Sequence, residues 1–252
     1  MGAVRLVRRP FSKNDNTHRK DTYANHAHSV GTSFERAPIP KEGGAVIDVG
    51  TDHAYLPIYL VGQHISSRAL ACDINRGPIE SAQKNIAAAH LSKKIETLCT
   101  DGLHGTEGFA PDNILIFGMG GELIIRILSE APWVKNENIG LVLQPMTRAH
   151  LLREWLLENG FAIVGETITH EDRYYQTVAA RYCGKSEKYT EEELLLGRLN
   201  IQNNTPNLGG FIEHEIGVWE AIRRGKALSA TADTRDEDRT LQFLKDRLET
   251  LK

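Results

Sequence analysis

Residues 45–55 read AVIDVGTDHAY. Ala45 to Val49 is a short apolar run, rich in β-branched residues, that stops at Gly50. This is the pattern of a buried parallel strand running into a tight turn. A glycine there lets a ligand approach the backbone closely. Asp48 and Asp52 flank the turn, and the apolar stretch Ala54 to Val61 can begin a helix whose N-terminus faces the ligand. About 70 residues on, Ile114 to Gly121 (ILIFGMGG) repeats the strand-then-glycine pattern, and between the two lies Ala69 to Asp73 (ALACD).

Asp73 stands 23 residues after Gly50. An acid at the end of a second strand is placed to hydrogen-bond ribose hydroxyls, which marks an adenosine-type cofactor. A dinucleotide fingerprint wants further glycines after Gly50 to seat a pyrophosphate, whereas Thr51, Asp52, His53 and Ala54 follow. Carboxylates repel a pyrophosphate but attract the amino and sulfonium cations of S-adenosylmethionine. The electrostatics favour the methyl donor. The segment Leu98 to Leu103 (LCTDGL) places Asp101 at the end of a third short strand, followed by Gly102. Asp101 either accepts a hydrogen bond from the adenine amino group or only caps a turn, since Asp-Gly is a common turn pair. The fourth strand, Ile114 to Phe117, enters Gly118-Met119-Gly120-Gly121, with the amphipathic run Glu122 to Leu128 behind it. Four strand ends then meet at one edge of an open α/β sheet, where such folds bind ligands.

Four segments carry a resemblance: Asp48 to Pro57 (DVGTDHAYLP), Phe117 to Ile124 (FGMGGELI), Leu141 to Pro145 (LVLQP), and Leu152 to Leu156 with Gly160-Phe161 (LREWL, GF). In this order they resemble the bacterial tRNA adenine-22 N1-methyltransferases, over roughly residues 43–180 and more loosely in the helical C-terminal part. The resemblance implies a Rossmann-like α/β methyltransferase domain, S-adenosylmethionine as cofactor, tRNA as partner and N1 of adenosine 22 as the acceptor. It supports Asp48 as a cofactor ligand. With it, Gly50, Thr51, Asp73, Asp101, Gly102, Gly118, Met119 and Gly120 form the expected cofactor site. Gly121 and Gln144 are expected on the substrate side, although the glycine string also suits a plain strand-helix turn and Pro145 a plain strand terminator.

The chemistry is compatible. A ring nitrogen offers an in-plane lone pair, so positioning and desolvation can supply most of the rate without a strong general base. Asp52 or Asp48 can stabilise the positive charge of the product. Tyr55 is expected to stack on or orient an adenine that has left its stack, and His53 to orient either substrate. Their plainer readings are a core aromatic for Tyr55 and a helix-start residue for His53.

The chain has 252 residues, long enough for one full-size α/β domain and an appendage. Residues 1–42 carry eight Lys or Arg against four acids and few apolar residues, the composition of a poorly ordered basic segment. It is read as an arm for RNA phosphates, or as translated sequence that does not belong to the functional protein. Residues 43–184 form the expected cofactor-binding domain, and 185–252 a helical appendage: a helix over 191–202, a turn over 203–210, and two helices, 211–230 and 235–251, suited to a hairpin or coiled coil. Arg223, Arg224 and Lys226 offer a small basic cluster for phosphate, or a solvated helix face. Cys72, Cys99 and Cys183 have no disulfide or zinc-like spacing, and Cys72 and Cys99 fall in strands expected to be buried. That usage suits a reducing, cytoplasmic setting and no metal, and no apolar run reaches membrane-spanning length. The net charge of −3 gives no support to an RNA partner, though a net count does not show a single face. A methyltransferase for a small molecule or protein, a cofactor-binding module without turnover, and a dinucleotide-dependent oxidoreductase stay open.

Overall fold

The computed structural model describes residues 43–228 and 233–251. The basic segment 1–42 and the last residues of the helix expected over 211–230 lie outside them. Seven strands form one sheet in the order β3-β2-β1-β4-β5-β7-β6. They are β1 (Ala45–Val49), β2 (Arg68–Asp73), β3 (Ile95–Cys99), β4 (Asn113–Gly120), β5 (Gly140–Thr147), β6 (Phe161–His170) and β7 (Tyr174–Tyr182). The first five run parallel, while β7 lies antiparallel to β5 and to β6. The Rossmann-like α/β architecture with a helical C-terminal part expected from the sequence is the one observed.

The central strands are apolar throughout because both faces are covered. All five residues of β1 are buried. On one face Val46, Leu115 and Val142 pack under α1 (Tyr55–Gly62) and α2 (Arg76–Ala88), whose Leu60, Val61, Ala82 and Ile86 meet them. On the other, Ile47, Ile114, Ile116, Leu141 and Leu143 pack under α3 (Gly121–Ser129) and α4 (Ala149–Glu158) through Ile124, Ile127, Leu152 and Leu156. Residue alternation along a strand therefore assigns Asp48 to the α1–α2 face, between Ile47 and Val49 on the opposite one.

Strand β3 differs from its expected form. It runs from Ile95 to Cys99, so Asp101 lies two residues beyond its end rather than on it, and among the described parallel strands it alone is at a sheet edge, so of its five residues only Ile95 is buried. Cys99, expected in a buried strand, is exposed, whereas Cys72 on β2 is buried. Strands β4 and β5 run further than their apolar runs, to Gly120 and Thr147, because they continue to pair beyond Phe117 and Gln144 through a register shift.

A third cluster joins the sheet to the C-terminal helices. Ile168 of β6 packs with Leu196 of α5 (Glu191–Leu196), with Leu208, Phe211 and Ile212 of α7 (Leu208–Lys226), and with Leu244 of α8 (Arg235–Thr250). The helix expected over 191–202 is broken at Gly197, φ 88°, into α5 and α6 (Arg198–Gln202). The ion pairs Lys226–Glu237, Arg223–Asp238 and Lys245–Glu220 show that α7 and α8 run antiparallel. No described helix is long and apolar enough to cross a membrane.

Candidate cofactor and acceptor site

The strand order reverses between β1 and β4: from β1 the chain proceeds to β2 and β3 on one side, then returns to β4 on the other. The crevice outside the carboxyl ends of two such strands is where open α/β sheets hold ligands. Gly50, Asp73 and the Gly118–Gly121 string sit at that edge, at the ends of β1, β2 and β4.

Gly50 has φ +77°. A Cβ there would overlap Met119 Cε, so Met119 lies over the turn. The Gly50 and Thr51 amides both donate to Cys72 O at 2.8 Å. They knit the turn to β2 and are not aimed outward. What the turn offers is the buried Asp48 carboxyl and the buried Thr51 hydroxyl, whose oxygen lies near Asp48 without a full hydrogen bond. Burial pushes the Asp48 carboxyl up to about 6; the Thr51 hydroxyl offsets part of that rise, and the Asp73 charge adds to it. A buried acid and an orphaned hydroxyl beside this turn are suited to a cationic, hydrogen-bonding ligand.

Asp52, His53 and Tyr55, which follow, make a compact group. His53 and Ala54 both adopt positive φ, 61° and 58°, a conformation costing non-glycine residues about 1–3 kcal/mol each. The loop is held by Asn85 of α2, whose side-chain amide donates to His53 O at 3.0 Å. His53 Nε2 lies 3.1 Å from Asp52 Oδ1, and its ring stacks on Tyr55 with centroids 5.2 Å apart. The three residues expected to act on the substrate are thus together, with Tyr55 half-buried at the start of α1.

Asp73 Oδ1 accepts from Asn75 N at 2.6 Å, which leaves its other oxygen for a ligand. Asp101 faces a different partner: Arg126 of α3 donates to both its oxygens, at 2.8 and 3.2 Å, and holds its carboxyl below the usual range. Gly102 packs against Ile127, where a Cβ would stand 3.1 Å away. Gly118 has φ +74° with open space around it, so its backbone is accessible. Gly120 caps α3 in extended conformation.

The residues expected on the substrate side divide. Gln144 is buried on β5 opposite Phe117. Gly121 is buried too, but against backbone: a Cβ would meet Arg148 O at 2.6 Å and Thr147 O at 3.0 Å. A glycine there lets α3 approach the β5–α4 junction closely. Arg223 and Arg224 lie near the end of α7, away from its Leu208–Ile212 contact with the sheet, and are paired with Asp238 and Glu220. Asn85 and Arg126 were missed by sequence reasoning. Only the i, i+4 spacing of Arg126 and Glu130 hinted at either. Among the described residues no group of three or more His, Cys, Asp or Glu is placed to hold a metal ion.

A methyltransferase-domain family model matches residues 37–178. The tRNA (adenine(22)-N(1))-methyltransferase of Bacillus subtilis is 33% identical over 219 residues, 83% of this chain and 90% of that protein. The crystal structure of the Bacillus subtilis tRNA methyltransferase TrmK superposes with a TM-score of 0.66 at 29% identity, covering 94% of this chain and 97% of that one. Sp1610 of Streptococcus pneumoniae, solved in complex with S-adenosyl-L-methionine, gives 0.72 at 29% identity over 92% and 99%. At a third of residues identical over 83% of its length, and with a methyltransferase-domain model over more than half of it, the chain belongs to the tRNA (adenine(22)-N(1))-methyltransferase family.

Proposed function

We propose that this chain transfers the methyl group of S-adenosylmethionine to N1 of adenosine 22 in tRNA. The observation that carries the reading is the meeting of Asp48, Thr51 and Asp73 with the Gly118–Gly120 turn at the switch point of the sheet, in a chain 33% identical to a protein of that activity over 90% of its length.

S-adenosylmethionine supplies an electrophilic methyl group on a sulfonium. Asp48 and Thr51 hold its polar, cationic end, and Asp73 accepts from its ribose hydroxyls through the oxygen not taken by Asn75. A carboxylate has about four lone-pair sites, so Asp101, fixed by Arg126, retains capacity to accept from the adenine amino group of the cofactor. The acceptor N1 attacks with its ring lone pair. The N1–CH3 bond forms as the S–CH3 bond breaks, the electron pair of the broken bond stays on sulfur, and the positive charge passes to the adenine. No proton moves in that step. The Asp52–His53–Tyr55 group orients the flipped base and lies close enough to the turn to face the charge that develops.

The test is to incubate the protein with S-adenosylmethionine and unmodified bacterial tRNA, digest to nucleosides, and quantify 1-methyladenosine by mass spectrometry. A tRNA with guanosine at position 22 serves as control. Product in the first and none in the second is expected; equal product in both would move the acceptor elsewhere.

A further inference from the structure

Gln144 is a polar residue only 6% exposed, set at the end of the apolar run of β5 beside the glycine turn. Ligand sites use a few placed polar groups, side-chain amides among them, within mostly apolar walls to fix a ligand's orientation. The position of Gln144 supplies the ligand. On β5, Leu141 and Leu143 face the α3–α4 core and Val142 the α1–α2 core, so alternation turns Gln144 toward the α1–α2 face. This is the face of Asp48, of Phe117, which packs against that core, and of α1, which starts at Tyr55. Gln144 is directly opposite Phe117, next to Pro145, which pairs with Met119 of the glycine turn. The amide therefore lies at the site edge, on the same side of the sheet as the cofactor acid and the proposed base-orienting aromatic.

We infer that Gln144 recognises the acceptor base, its side-chain oxygen accepting a hydrogen bond from the 6-amino group adjacent to N1. The inference rests on the proposed reaction. On its Watson–Crick edge adenine presents one ring acceptor, N1, which is consumed by the new bond, and one adjacent donor, the 6-amino group. A neutral amide is the general partner of that amine. As N1 becomes bonded to carbon, positive charge spreads over N1, C6 and the 6-nitrogen, and the amine becomes a stronger donor. The hydrogen bond strengthens toward the transition state, so its loss lowers kcat as well as raising KM.

The experiment pairs a side-chain deletion with a substrate deletion. Wild type and Gln144→Leu are assayed on tRNA with adenosine at position 22 and on tRNA with purine riboside there, which keeps N1 and lacks the 6-amino group. Loss of the amine changes the nucleophilicity of N1 equally for both enzymes, so the informative quantity is the ratio of the two losses. Wild type is expected to lose roughly tenfold or more beyond what Gln144→Leu loses. Equal losses would overturn the assignment. Gln144→Met, more adaptable in a buried gap, repeats the measurement should the leucine variant fold poorly. Calorimetric binding of S-adenosylmethionine is expected to match wild type in both variants; its loss in both would overturn the inference by moving Gln144 into the cofactor site. Failure of wild type to methylate adenosine 22 is a separate result, which removes the reaction and this inference with it.

Discussion

Asp48 is a buried carboxyl lifted to about 6 by its surroundings, against 3.8 for the free side chain. A raised acid pKa means that the folded state holds the proton while the unfolded state loses it. Stability is therefore unaffected below about pH 4, declines as pH rises through the window up to about 6, and carries the whole cost above it. Two pKa steps correspond to about 3 kcal/mol. Asp48→Asn is expected to raise the melting temperature at pH 7.5, with the advantage shrinking to nothing near pH 4, as thermal denaturation across pH would read. The same variant should bind S-adenosylmethionine at least about tenfold more weakly at pH 7.5, since the charge is what meets the cation. In the wild type, affinity should fall below pH 6 as Asp48 takes up its proton. Gly50 makes the companion case. At φ +77° an alanine is strained, and its Cβ would overlap Met119 Cε. Gly50→Ala is expected to cost about 1–3 kcal/mol in urea denaturation and to abolish cofactor binding. Adding Met119→Ala should recover only the steric part of the stability, because the backbone strain stays.

At the scale of elements, β1 and β4 were legible because central strands covered on both faces must be apolar throughout and end at the glycine that turns them. Edge strand β3 was less so: with four of its five residues not buried, little hydrophobic pattern marks its start. The hairpin β6–β7 and the break between α5 and α6 depend on partners distant in sequence. Glu166 of β6 accepts from Arg153 Nε at 2.6 Å and from Leu199 N at 2.9 Å, while Arg153 Nη1 donates to Leu194 O at 2.8 Å and Nη2 to Gln176 Oε1 at 2.8 Å. Both charges are fully buried. Gly197 is required there, since a Cβ would stand 2.5 Å from Glu166 Oε1, a contact that no local pattern announces. The same logic applies to the site: Asp48, Gly50 and Asp73 could be read because strand ends are local features, whereas Arg126 reaches Asp101 across 25 residues. Removing one partner of a buried, hydrogen-bonded pair costs about 3–5 kcal/mol. Glu166→Ala is expected to lower the stability of the whole protein by that order in equilibrium urea unfolding, and Gly197→Ala by a substantial part of it, because both dislodge the link between sheet and C-terminal helices.

For the whole molecule, the antiparallel direction of β7 decides where the helical appendage stands. Leu143 pairs with Val178 and Gly140 with Arg181, so β7 begins at the edge where β5 ends, the edge that carries Gln144. Tyr174, at the start of β7, and Ile168 anchor α7 and α8 there. The hairpin therefore grows from the site edge, and its 19-residue first helix has a reach of about 28 Å, a distance that suits the tRNA of the proposed reaction. Its cations are mostly engaged: Arg223 with Asp238 and Lys226 with Glu237 at 2.9 Å. Arg224 is the most exposed of the three at 69%, and lies 3.9 Å from Glu220, a weak exposed pair that a phosphate can replace. A phosphate contact releases counterions, so each one lost flattens the dependence of log affinity on log salt by a little under one. Measured by tRNA binding over a salt series, Arg224→Ala is expected to reduce that slope by about one unit and Arg223→Ala to leave it nearly unchanged, with S-adenosylmethionine binding intact in both. An unchanged slope for Arg224→Ala would place the phosphate contacts on another face of the molecule.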